Sequence, residues 1–236
     1  MSLDSWLEQW QSIANFKDAE MVNVAERISR AVTLAGAPVD AAWPRPNPED
    51  HKWRDAPYRR GDRGHPSTPE RALEHQLLGD GPVIRPGATS LGGRVADGVN
   101  ALALTNTPKV EADVLLLVNN GERYELHLVE AKVAANNAWY AVLELLQQML
   151  LFSASPHASE LFHRRRDESL GQLSLTGIVL APPAFYTSPG KKSQSVRPAQ
   201  QLVQALRPHA RIVLATWDHT SRAIKALGET KGPTVA

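Results

Sequence analysis

The 236-residue chain contains no cysteine. Disulfide frameworks, thiol nucleophiles and cysteine-based zinc sites are thereby excluded, so any chemistry must use carboxylates, lysine, histidine or hydroxyls. No apolar run approaches the roughly 18–20 residues that a bilayer span needs. The opening residues Met1-Ser2-Leu3-Asp4 have neither the basic start nor the apolar stretch of a signal peptide. These absences predict a cytoplasmic protein with no membrane partner. Charge of one sign is not in excess either: 26 basic and 25 acidic residues leave a net charge of +1, which creates no global pull toward a polyanion. The eight histidines form no H-x-x-x-H pair on a predicted helix. Gly87, Gly92 and Gly93 lack the lysine-serine and strand-to-helix context of a phosphate loop.

What is present is a chain long enough to enclose a core without staples, with 42% hydrophobic and 22% charged residues, an ordinary globular balance. Leu3, Trp6, Leu7, Trp10 and Ile13 recur at helical spacing, as do Met21 to Val32, predicting helices over 3–14 and 18–35 that end at Gly36 and Pro38. Inside so regular a stripe the two tryptophans read as packing anchors. Residues 37–69 carry seven prolines, which excludes a regular helix. The stretch reads first as a plain connecting arm, while interleaved arginines and aromatics in Tyr58–His65 would suit phosphate and base contacts. The chain thus divides into a helical pair (1–36), a Pro-rich arm (37–67), a main domain (68–227) and a loose tail (228–236).

Within the main domain Thr68-Pro69-Glu70 starts a helix that Gly79 stops. A strand follows somewhere in 95–104. Asp113–Val118 and Tyr124–Val133 read as two strands, joined at Asn120-Gly121, a strong hairpin signal. A helix to about Ser153, a strand over 173–181, a helix over 198–206, a strand over 211–217 and a short helix over 220–227 complete the order. With Asn120-Gly121 as a two-residue turn, Asp113 lies opposite Leu128, and alternation puts Asp113, Glu130 and Lys132 on one face. Two carboxylates and a lysine in a Val/Leu-rich hairpin are costly unless paired or ligated. Carboxylates so placed suit a hard cation, Mg²⁺ or Mn²⁺, with the lysine beside it to orient or help deprotonate a water. A surface ion pair of Glu130 with Lys132 on an edge strand is the alternative.

Asp113, sixteen residues, then Glu130-Ala131-Lys132 at the end of an apolar strand resembles the bipartite motif of the PD-(D/E)xK nuclease superfamily. The resemblance spans about residues 68–181. It implies an α/β restriction-endonuclease-like core, a mixed central sheet flanked by helices, here with an N-terminal helical extension. It also implies Mg²⁺-dependent hydrolysis of DNA phosphodiesters, with Asp113, Glu130 and the Ala131 carbonyl as metal ligands and Lys132 as the catalytic lysine. Glu74 matches the family's upstream glutamate, with Glu70 as fallback. Gln148, followed four residues later by Phe152, is similar to the Gln-x-x-x-Tyr of RecB-like members. Arg164, Arg165, Arg166, Lys191 and Lys192 are candidate phosphate contacts, in line with eight basic against two acidic residues from Thr187 onward. The reading leaves open a homodimer, and a catalytically silent nucleic-acid-binding or scaffold protein on the same fold.

Overall fold

A computed structural model describes residues 1–14, 23–37, 69–78, 89–104, 110–133, 137–154, 174–187, 195–218 and 220–227. The described helices are α1 (Leu3–Ala14), α2 (Val24–Ala35), α3 (Pro69–Leu78), α4 (Ala138–Ala154), α5 (Pro183–Thr187) and α6 (Val196–Leu206). The strands are β1 (Thr89–Ser90), β2 (Gly93–Ala103), β3 (Glu111–Asn119), β4 (Tyr124–Ala131), β5 (Ser174–Leu180), β6 (Arg211–Asp218) and β7 (Ala223–Ala226). None of these helices is long and apolar enough to cross a membrane.

The seven strands follow one another in chain order and close into a barrel. This overturns the expected restriction-endonuclease-like core with an open mixed sheet. Closure depends on two short strands. β1 pairs antiparallel with β2 and parallel with β7, Thr89 opposite Ala223 and Ser90 opposite Ile224. The β1–β2 turn is tight, with both Leu91 (φ 47°) and Gly92 (φ 91°) left-handed, the signature of a two-residue hairpin turn. A bulge between Val95 and Asp97 bends the long β2, as closure requires. The helix expected over 220–227 is replaced by a turn and β7: Arg222 is left-handed (φ 52°), and Asp218 Oδ1 accepts the N–H groups of Thr220 and Ser221 at 2.9 and 3.2 Å.

Strand alternation sorts the core into two clusters. Val114, Leu116, Val118, Val129, Ile178, Leu180, Trp217 and Ile224 pack together and are joined by Leu73 and Leu77 of α3. Leu115, Leu117, Leu126 and Leu128 instead meet α4, α1, α2 and α6. α4 is therefore apolar around most of its circumference, with strands on one side and helices on the other. Trp6 and Trp10 are buried in that layer, ring centroids 5.6 Å apart edge to face. The carbonyl of Ile13, at the end of α1, accepts hydrogen bonds from Arg27 Nη1 (2.8 Å) and Trp139 Nε1 (3.4 Å), so α2 and α4 satisfy what the helix leaves open.

Gly177 on β5 sets the distance between α4 and the sheet. A Cβ there would stand 3.1–3.2 Å from Leu145 and crowd the Met149 sulfur. Gly177→Ala is expected to destabilise the protein by about 1–3 kcal/mol through overpacking. Urea unfolding monitored by circular dichroism measures it; an unchanged midpoint would show that α4 shifts freely.

Candidate active site

The hairpin forms with a different register from the one expected. Asn119 pairs with Tyr124 and Leu115, not Asp113, lies opposite Leu128. The side chains of Asn119 and Asn120 cause the shift: Asn119 Oδ1 accepts from the Gly121 N–H (2.8 Å), and Asn120 Oδ1 from those of Glu122 (3.1 Å) and Arg123 (2.9 Å), making a four-residue loop. The slip is even, so every side chain keeps its face. Val114 pairs with Val129, and one step further sets Asp113 opposite Glu130.

Asp113 and Glu130 therefore converge at the end of β4. Asp113 Oδ2 accepts the Ala131 N–H at 2.8 Å, while Lys132 N donates to the Leu180 carbonyl of β5 at 2.8 Å. β4 lies between β3 and β5, and Glu130 is 1% exposed, so an edge-strand surface pair does not describe Glu130 and Lys132. Lys132 is ion-paired to Glu130 and approaches Glu144 Oε2 at 3.0 Å. Gln148 Nε2 donates to Glu130 Oε2 (2.6 Å) and to the Glu111 carbonyl (3.2 Å). These two acceptors orient the amide, leaving Gln148 Oε1 buried without a hydrogen-bond partner among the described residues.

The helix that carries Gln148 starts under side-chain control. Asn137 Oδ1 caps it by accepting the Tyr140 N–H at 2.7 Å, and Ser195 Oγ accepts the Ala138 N–H at 2.9 Å. Glu144 and Gln148 are four apart and so share a face. Glu144 is the residue that sequence reasoning missed. It is the only charged side chain in α4, which is the signal that could have found it.

Three carboxylates surround one lysine, and the electrostatics show the imbalance. Burial pushes Asp113 up to about 6, only partly offset by Lys132 and the Ala131 N–H. Glu130 is pushed well above the usual carboxylate range by burial and then by Asp113 and Glu144. Burial works against charge on Lys132 too, yet Glu130 and Glu144 prevail and raise it. Burial thus favours the neutral forms of Asp113 and Glu130, and the single lysine offsets it only in part.

Glu74 is buried on α3, beside the Leu73 and Leu77 that pack in the inner cluster. Glu70 of the same helix accepts the Val133 N–H at 3.3 Å, just beyond Lys132. No group of three or more histidine, aspartate or glutamate side chains among the described residues is arranged to hold a metal ion. Asp113 and Glu130 bring together two carboxyl groups, and Mg²⁺ is commonly held by one or two carboxylates with waters and substrate phosphate. Arg164, Arg165, Arg166, Lys191, Lys192 and the arginines of the Pro-rich arm lie outside the described residues.

A second polar group runs from the buried Ser90 and His127 out to the exposed Arg123. Ser90 Oγ lies 2.7 Å from His127 Nδ1, His127 Nε2 is 3.5 Å from Glu125 Oε2, and Arg123 Nε donates to Glu125 Oε1 at 3.1 Å. The sequence places His127 on the face opposite Glu130, and so does the structure. Burial lowers His127 against the pull of Glu125. Ser90 and His127 are both buried, so their contact braces β1 against β4.

Comparison of the chain with protein-family models, curated proteins and solved structures finds no match. The functional reading therefore stands on the site itself.

Proposed function

We propose that the chain is a divalent-metal-dependent nuclease that hydrolyses DNA phosphodiesters at the Asp113/Glu130/Lys132 pocket. The observation that carries this is the convergence of the Asp113 and Glu130 carboxyl groups, burdened by burial, beside the strand-end Lys132. The motif's resemblance to PD-(D/E)xK nucleases and the basic excess after Thr187 favour DNA as substrate. The closed barrel is not the sheet that the resemblance implies, so the reading rests on the pocket and not on the fold.

Asp113, Glu130 and the Ala131 carbonyl would hold Mg²⁺ or Mn²⁺. Such a cation, when bound, supplies charge stabilisation at a phosphoryl oxygen and lowers the pKa of water. Lys132 is kept cationic by Glu130 and Glu144 and so acts as a hydrogen-bond donor, orienting the attacking water and offsetting charge that develops on the phosphate oxygens. Gln148 holds the Glu130 carboxylate and Glu144 holds Lys132; both are positioning residues.

The test is cleavage of linear, circular and single-stranded DNA with and without Mg²⁺. Cutting that requires the metal is expected, and Lys132→Ala should lower its rate about a hundredfold or more, the usual cost of one stabilising donor. Calorimetric Mn²⁺ affinity of that variant should be equal or higher, because a repelling positive charge is gone. DNA binding without cutting of any substrate would favour the silent-binding alternative. Wild-type rates in Lys132→Ala would remove the lysine from the chemistry.

A further inference from the structure

One narrow line of α4 is open to solvent. Between Ala138 and Phe152 every residue of that helix is buried except Tyr140, Glu144, Gln147 and Leu150, whose spacing sets them along one side of the axis. Glu144 marks where this line borders the carboxylate pocket, since its Oε2 lies 3.0 Å from Lys132 Nζ. The Glu144 side chain is 32% exposed and that of Lys132 12%, so solvent reaches the pocket here. Tyr140 stands one turn before Glu144, half-buried, with its phenol within electrostatic reach of Glu144, Lys132 and Glu130. Its backbone is fixed by the Asn137 cap, whose Oδ1 accepts the Tyr140 N–H at 2.7 Å.

The donors inside the pocket are already engaged. Lys132 is held by Glu130 and Glu144, and Gln148 Nε2 by Glu130 and the Glu111 carbonyl. The Tyr140 hydroxyl makes no hydrogen bond among the described residues, so it is a donor left over at the mouth. Glu144 first, and then burial, hold this phenol above its ordinary range, so it keeps its proton at neutral pH. A neutral donor suits a phosphodiester: the non-bridging oxygens only accept hydrogen bonds, and a bond to a charged group is among the stronger kind. The phenol also adds no positive charge to repel a cation at Asp113 and Glu130.

We infer that Tyr140 is a substrate-binding residue, whose hydroxyl donates a hydrogen bond to a DNA phosphate at the mouth of the Asp113/Glu130/Lys132 pocket. The inference rests on the nuclease reading for the identity of the substrate. It adds a contact that neither the motif nor the positioning residues Glu144 and Gln148 supply.

Tyr140→Phe tests it, because the loss of one oxygen from a half-buried ring spares the packing. Fluorescence anisotropy of a labelled DNA oligonucleotide on the full chain, with Ca²⁺ in place of Mg²⁺, measures binding apart from cutting. The variant is expected to bind about tenfold more weakly, and in Mg²⁺ to show KM raised by about the same factor with kcat changed by less than about twofold. Its calorimetric Mn²⁺ affinity should equal that of the wild type. Unchanged DNA affinity overturns the inference, and so does a parallel loss of Mn²⁺ affinity, which would mean that Tyr140 acts through Glu144 on the carboxylates. A wild type that binds DNA without ever cutting it, and more tightly than the variant, sinks the nuclease reading and leaves the contact standing. A wild type that cuts, with a variant that binds and cuts equally well, does the reverse. No binding of DNA by the wild type at about 10 μM overturns both.

Discussion

Replacing Asp113 by asparagine is expected to lower the rate of Mg²⁺-dependent DNA cleavage by about a thousandfold or more. A ligated cation stabilises the transition state by several kcal/mol, and each 1.36 kcal/mol is a factor of ten. The substitution is chosen to spare the fold. Asparagine Oδ1 can accept the Ala131 N–H that Asp113 Oδ2 accepts at 2.8 Å, so the backbone contact survives while the charge disappears. Calorimetric Mn²⁺ binding should be lost in parallel, and circular dichroism should be unchanged. Cleavage at the wild-type rate would place the chemistry elsewhere, and lost cleavage with intact Mn²⁺ binding would remove Asp113 from the ligand set.

The same variant is expected to be more stable than the wild type when metal is absent. Asp113 is raised from 3.8 to about 6, so the folded state holds its proton more tightly than the unfolded chain. The stabilising contribution is complete below about pH 4 and is lost as pH rises through about 6. The wild type thereby forfeits at most about 3 kcal/mol at neutral pH, less where solvent reaches the partly exposed residue. Glu130, raised for the same reason, extends the loss to higher pH. His127 acts in the opposite sense: its folded pKa is depressed, so its contribution is present above about 6.5 and is lost as pH falls. Because the two overlap, the informative quantity is the difference between Asp113→Asn and wild type in EDTA. That difference should grow from near zero at pH 4 to its full value above pH 6, and Mn²⁺ should shrink it at pH 7 by binding the wild type alone. A difference independent of pH would mean that the Asp113 carboxylate is not held at a cost.

The convergence of Asp113, Glu130 and Lys132 was more legible in the sequence than the architecture. Asp113, Glu130 and Lys132 could be placed on one face because alternation along a strand depends only on parity, and the true register differs by an even step. That shift was hidden because Asn119 and Asn120 choose between a two-residue turn and a longer loop through hydrogen bonds to the backbone that no periodicity reports. Gln148 was visible through the motif, whereas Glu144 was not, since only the packing of α4 on β4 brings it to Lys132.

Closure of the barrel was not legible at all. β1 and β7 have two and four residues, too few to carry a pattern, and their pairing joins Thr89 to Ala223 across more than half the chain. By itself, then, the sequence determined what is local: the amphipathic helices, the hairpin, the buried strand that ends in Glu130-Ala131-Lys132, and the absence of thiol chemistry. Only the tertiary structure decided the long-range matters of barrel closure and the gathering of Asp113, Glu130 and Glu144 around Lys132. The reason is physical. Propensity and periodicity act over a few residues, whereas strand pairing and charge compensation depend on which distant segments the packed core brings within a few ångströms.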